Sequence, residues 1–150
     1  MDQTVSAFEL PEKLNPALAQ VLAYWEGLKR GGNEIPFWDD VNLTALPDLA
    51  TQIALVDVFE GPERFRFGLI GSELADGQPL PVAGKFLDEV SLTRPLEYLR
   101  AQSSATVEGR LPTYFECQDA PGLTGAAAKR RLVLPLWGEG QIRMLLVAVA

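Results

Sequence analysis

The residues able to do chemistry in this chain are few, and their spacing limits what they could do. There is no histidine among the 150 residues. That removes imidazole acid–base catalysis, Ser-His-Asp triads, a phospho-accepting histidine and His-ligated haem or zinc. There is one cysteine, Cys117, so neither an internal disulfide nor a thiolate metal cluster can form. Cys117 alternates with Phe115 and Glu116, and a lone cysteine on a strand is ordinarily a small buried hydrophobe. A redox-sensing thiol is the sharper alternative. It would need a cation to lower its pKa, and only Lys129 to Arg131 on the adjacent strand offers one. Asp39-Asp40 could form one end of a metal site, but such a pair also favours a helix N-terminus, which is the expected role. Glu73 with Asp76, and Asp88-Glu89, read as solvated faces. No paired-carboxylate hydrolase follows without a substrate cleft. Gly68-Leu69-Ile70-Gly71 lacks the Lys-Ser/Thr of a phosphate loop and reads as a strand end. Lys129-Arg130-Arg131 is the only basic cluster. On a strand it splits across two faces, so pairing with Glu116 or Glu108 is expected over anion binding.

Composition bounds the rest. Forty-seven per cent of residues are hydrophobic and 22 per cent charged, the mix of an ordinary globular domain, and the length suits one core. Thirteen basic residues against 20 acidic ones give a net charge of -7. Phosphate backbones and anionic membrane surfaces repel such a chain, so no nucleic-acid partner is expected. The run Met144 to Ala150 is too short to span a bilayer, and no membrane insertion is expected. Met1 to Ser6 is acidic without an apolar core, unlike a secretory signal. With a single cysteine, the composition suits a reducing cytoplasm.

These residues must be positioned by the elements along the chain. Residues 1–14 form an expected flexible arm. Asn15-Pro16 reads as N-cap and first helical position. Leu14, Leu18, Val21, Leu22, Trp25 and Leu28 then make one apolar stripe over a helix at 15–30, which Gly31-Gly32 ends. Residues 33–52 suggest short turns at 42–45 and 47–51, so that 15–52 is a helical cap. Ile53 to Phe59 and Arg64 to Ile70 read as a hairpin, with Phe65, Phe67 and Leu69 on the packed face. Short helical pieces follow at 72–77 and 84–90. A longer helix is expected at 94–107, with Leu96, Leu99 and Tyr98 inward. Strands follow at 112–118, 126–137 and 141–150, around a loop at 120–125. Pro135 implies a bulge or an edge position in the second of these. The order predicts an α+β fold: a five-stranded antiparallel sheet with helices over one face, plus the N-terminal amphipathic helix.

This order resembles that of a PAS (Per-Arnt-Sim) domain. Phe65-Arg66-Phe67-Gly68-Leu69-Ile70-Gly71-Ser72 looks like the second PAS strand entering the first short helix. Asp76-Gly77 followed by Val82-Ala83-Gly84-Lys85-Phe86-Leu87-Asp88-Glu89 resembles the segment joining the small helices. Arg131-Leu132-Val133-Leu134-Pro135-Leu136 with Gly138-Glu139-Gly140 resembles the fourth strand and its hairpin. Tyr24-Trp25-Glu26-Gly27-Leu28-Lys29-Arg30, then Pro36, Asp39-Asp40 and Leu46-Pro47, is similar to a bacterial branch in which a helical cap precedes a single PAS core, here 53–150.

The resemblance implies a sensory or adaptor module of signal transduction rather than an enzyme. It implies a small apolar or amphipathic ligand in the helix–sheet cavity, a protein partner, or both. Phe67, Leu69, Phe86, Tyr98, Tyr114, Leu134 and Met144 are the candidates to line that cavity. Arg131 is of interest beside the two tyrosines. Leu18, Val21, Leu22 and Trp25 either cap their own sheet or form a homodimer interface. No cofactor is expected: the haem type needs a histidine on the long helix, and the covalent flavin type a cysteine on a short helix. The alternatives are a ligand-free dimerisation scaffold and, least favoured, a small enzyme using the cavity.

Overall fold

The helix begins where its cap predicts. Asn15 accepts a hydrogen bond from the Ala17 N–H at 2.8 Å, and Pro16 opens α1, Pro16–Gly27. In the computed structural model, residues 8–117 and 129–150 are described. Three short 3₁₀ turns, at 38–40, 43–45 and 50–52, lead from α1 to the sheet. The hairpin follows as β1, Ile53–Phe59, and β2, Arg64–Ile70. Next come α2, Ser72–Asp76, a 3₁₀ turn at 87–89 and α3, Leu99–Gly109. The chain closes with β3, Thr113–Cys117, β4, Lys129–Gly138, and β5, Gln141–Val149. The expected loop at 120–125, and the first residues of the expected 126–137 strand, lie outside the described residues.

The five strands form one antiparallel sheet in the order β2-β1-β5-β4-β3. Helical segments between β2 and β3 carry the chain from one edge to the other. The sheet is buried on both sides, which near-continuous apolar strands such as Leu132–Leu136 require. On one face Ala54, Val56, Phe65, Phe67, Val133, Leu145 and Val147 pack with Leu74, Leu87, Leu96 and Leu99 of the α2–α3 region. On the other face Ile53, Leu132, Leu134, Leu136 and Leu146 pack with Leu18, Val21 and Trp25 of α1. The expectation that helices occupy one face is thus incomplete: α1 takes the second.

Two local departures matter for the site. The β1–β2 register shifts between Leu55 and Val56: Leu55 faces Leu69, but Val56 faces Phe67. Gly68 is the extra residue of this bulge, and alternation breaks there. Phe65 and Phe67 are buried, but Leu69 is 43% exposed and Ile70 turns to the core. Second, the long helix begins at Leu99 rather than 94. Tyr98 stands before it in a left-handed conformation, φ 62°, so its side chain leaves the helical stripe and is 69% exposed.

Candidate functional site

The sheet face beneath α3 carries polar residues where a purely apolar interface would suffice. In α3 the inward stripe runs Leu99, Gln102, Ser103, Thr106, all buried, a spacing that puts them on one helical face. Opposite them, Arg131 of β4 is fully buried and Thr113 of β3 nearly so. Arg131 and Val133 share a strand face by parity, while Leu132 and Leu134 point to α1.

These residues form one hydrogen-bonded network. Arg131 Nε donates to Gln102 Oε1 at 2.6 Å. Its Nη1 donates to the carbonyls of Pro95 and Glu97 at 2.9 and 2.8 Å. Gln102 Nε2 donates to Thr113 Oγ1 at 3.1 Å. The hydroxyls of Thr106 and Thr113 meet at 2.6 Å, and Thr106 also donates to the Gln102 carbonyl. The Arg131 guanidinium lies 4.8 Å from the Phe115 ring centre, and Phe115 meets Tyr98 edge-on. Burying a charge is costly unless it is well bonded; here three short charge-assisted bonds and a ring face offset that cost. A single side chain therefore links the 95–97 segment, α3 and the inner strand β4. The network can fix geometry. Its members supply no nucleophile beside a base.

Of the seven residues expected to line one cavity, Phe67 alone lies fully inside this helix–sheet interior, where it packs among the α2–α3 side chains. Leu134, Met144 and Tyr114 face α1 instead. Strand parity decides this: Leu134 sits on the opposite side of β4 from Arg131 and Val133. Leu69 and Tyr98 are exposed, for the two backbone reasons given above. Phe86 lies at the outer edge of β2, where Arg64 stacks on its ring at 3.7 Å and segment 84–86 bonds to the strand. Among the described residues, Phe67, Leu74, Leu87, Leu96 and Leu99 pack in one cluster in this interior. The Tyr114 hydroxyl donates to Glu116 at 3.0 Å. Its pKa is pushed up to about 12, first by burial and then by that carboxylate.

Leu18, Val21 and Trp25 are buried against their own sheet, and Leu22 is half-buried beside them. The Trp25 indole N–H donates to the Pro135 carbonyl at 2.8 Å. Pro135 sits in β4 beyond the end of the β3 ladder, which stops at Thr113 opposite Val133, the edge position a proline suits.

At least one member of each of three charged clusters is engaged. Asp40 accepts from Arg30 Nε and Nη2, each at 2.7 Å, and this holds its carboxyl below the usual range. Asp88 is held in the same way by Arg64. Arg130 pairs with Glu116 at 3.6 Å. Sequence reading singled out Arg131 but missed Gln102, Thr106 and Thr113. The available signal was their spacing: Gln102 and Thr106 follow Leu99 at three and seven residues, in register with its buried face.

No helix among the described residues is long and apolar enough to cross a membrane. Comparison of the chain with protein-family models, with curated proteins and with solved structures gives no match.

Proposed function

We propose that the chain is a PAS-type module of signal transduction, a sensory or adaptor domain acting through contacts with another protein. The observation that carries this reading is the antiparallel order β2-β1-β5-β4-β3, with the helical crossing from β2 to β3 lying over one face. The network around Arg131 adds to it. A side chain bonded to α3 and to the 95–97 segment ties both to β4, the kind of link that a module passing on a state can use. The close packing of Phe67 with Leu74, Leu87, Leu96 and Leu99 favours surface recognition over an enclosed apolar or amphipathic ligand. It equally favours the second reading, a ligand-free homodimerisation scaffold.

Native mass spectrometry of the full chain, compared with its denatured mass, separates these. We expect the bare mass, with cross-linking in the source cell capturing one defined signalling protein. A bare homodimer with no other partner favours the scaffold. Extra mass retained through exhaustive dialysis and lost only on denaturation moves the reading to an enclosed ligand. A bare monomer without partners overturns the module.

A further inference from the structure

Strand β4 outruns β3. Their ladder ends at Thr113 opposite Val133, while β4 continues to Gly138. The uncovered stretch is closed by other groups. Pro135 has no N–H, and its carbonyl is taken by the Trp25 indole. The Trp137 N–H donates to the Pro36 carbonyl at 2.8 Å, and Phe37 bridges Trp137 in parallel. Neither Pro135 nor Trp137 offers a free N–H to an added strand, so a peptide edge is not the natural occupant.

Over this stretch lies a groove of about 420 Å³, between the end of α1, segment 33–37 and residues 110–112. That is within the usual size of small-molecule sites. Trp25, Phe37, Leu111 and Trp137 give it ring faces and apolar surface. Four charges line it. Lys29 and Glu26 satisfy each other at 2.6 Å, and Lys29 also lies over the Trp25 ring. Arg110 and Glu34 remain, neither with an ion-pair partner among the described residues. Arg110 is held at the end of α3 by a left-handed backbone, φ 55°, with its guanidinium 5.5 Å from the Trp137 ring centre. A simple anion entering here meets Glu34, and a simple cation meets Arg110. A molecule carrying both charges beside a flat apolar group answers all three features.

We propose that this groove binds a free aromatic α-amino acid, with its carboxylate on Arg110, its ammonium on Glu34 and its ring against Trp137, Phe37 and Leu111. The groove lies outside the helix–sheet interior, so the inference adds an input to the proposed module without depending on it.

The test is a titration of the full chain with L-phenylalanine, followed by the NMR signals of the tryptophan indole N–H groups. We expect saturable shifts at Trp25 and Trp137, with Trp38, outside the groove lining, unmoved. Phenylacetate and 2-phenylethylamine, each lacking one charge, should bind at least about tenfold more weakly. Glu34→Gln should weaken L-phenylalanine by a similar factor, as should Arg110→Asn, since asparagine tolerates the left-handed backbone. Both sites are exposed, and both variants should melt as the parent does. Phenylacetate binding as tightly as L-phenylalanine would overturn the zwitterion site in favour of a plain anion site. So would unaltered affinity in either variant. Absence of a saturable shift up to the solubility limit overturns the site altogether. None of these outcomes bears on the partner captured by cross-linking, which tests the module separately.

Discussion

Arg131 shows how one residue can do what a list of candidates does not reveal. Its type and its place after Lys129-Arg130 suggest a solvated face, yet it is wholly buried and bonded to three neutral acceptors. Arg131→Ala would leave Gln102 and two carbonyls with lost partners in a buried site. We expect a loss of about 2–4 kcal/mol in urea unfolding. Arg131→Lys should recover little of it, because an ammonium cannot reproduce the planar fork. A loss below about 0.5 kcal/mol in either variant would remove the network from the account of stability, since that is the range of ordinary surface substitutions. The alkaline behaviour of the fold depends in part on Tyr114. The folded chain keeps this phenolic proton to about pH 12, against an ordinary value of 10.0. Between those values the unfolded chain binds fewer protons, so stability falls as pH rises; below 10 the contribution is complete. Tyr114→Phe should lack that part of the decline. Parallel stability–pH curves for parent and variant would contradict it. At this scale the sequence was a partial guide. Proline and asparagine announced the start of α1, but whether a buried arginine is bonded depends on residues 29 and more positions away, in α3 and the 95–97 segment.

Elements were legible where local rules are strong and misread where a partner strand decides. The β1 and β2 bounds follow from apolar content and the Gly61-Pro62 turn. The bulge does not, because it is set by the pairing of β2 with β1 and not by β2 itself. One inserted residue reverses the faces beyond it, which removes Leu69 from the candidate site and puts Ile70 there. The same rule inverts Leu134 and Met144: strand parity shows that Leu134 and Arg131 face opposite ways, but not which face meets α1. The bulge makes a contrast that is easily measured. Leu69→Ser should change stability by less than about 0.5 kcal/mol, as for an exposed site. Phe67→Ala, two residues away, should cost about 3–5 kcal/mol through the cavity it leaves. Comparable losses at the two positions would mean that both side chains share the core and that the ladder is unshifted. Gly71, at the end of β2, is tightly enclosed, since a Cβ there would press on the carbonyl oxygens of Ala50 and Thr51.

For the whole molecule, the question left open by the amphipathic stripe of α1 is whether it covers its own sheet or a second subunit. The structure buries Leu18, Val21 and Trp25 against Leu132, Leu134, Leu136 and Leu146 of the same chain. Uncovering that face would expose a contiguous apolar patch of the kind that drives association. The two arrangements respond oppositely to one substitution. If α1 served only as a dimer interface, Val21→Asp would release a folded, soluble monomer. In this structure it places an unpaired carboxylate between α1 and the sheet, where burial of a charge is costly enough to expect a loss above about 3 kcal/mol. The variant should therefore unfold at markedly lower temperature, expose its second sheet face and aggregate, at protein concentrations where the parent is well behaved. Circular dichroism melting with size-exclusion chromatography reads both properties together. A stably folded Val21→Asp monomer would show that α1 is dispensable to its own sheet and would return the stripe to an interface between subunits. An early-melting variant places α1 inside the folding unit, so that any partner of the module must be met elsewhere: at the sheet edges, at the loops or at the groove beside Trp137.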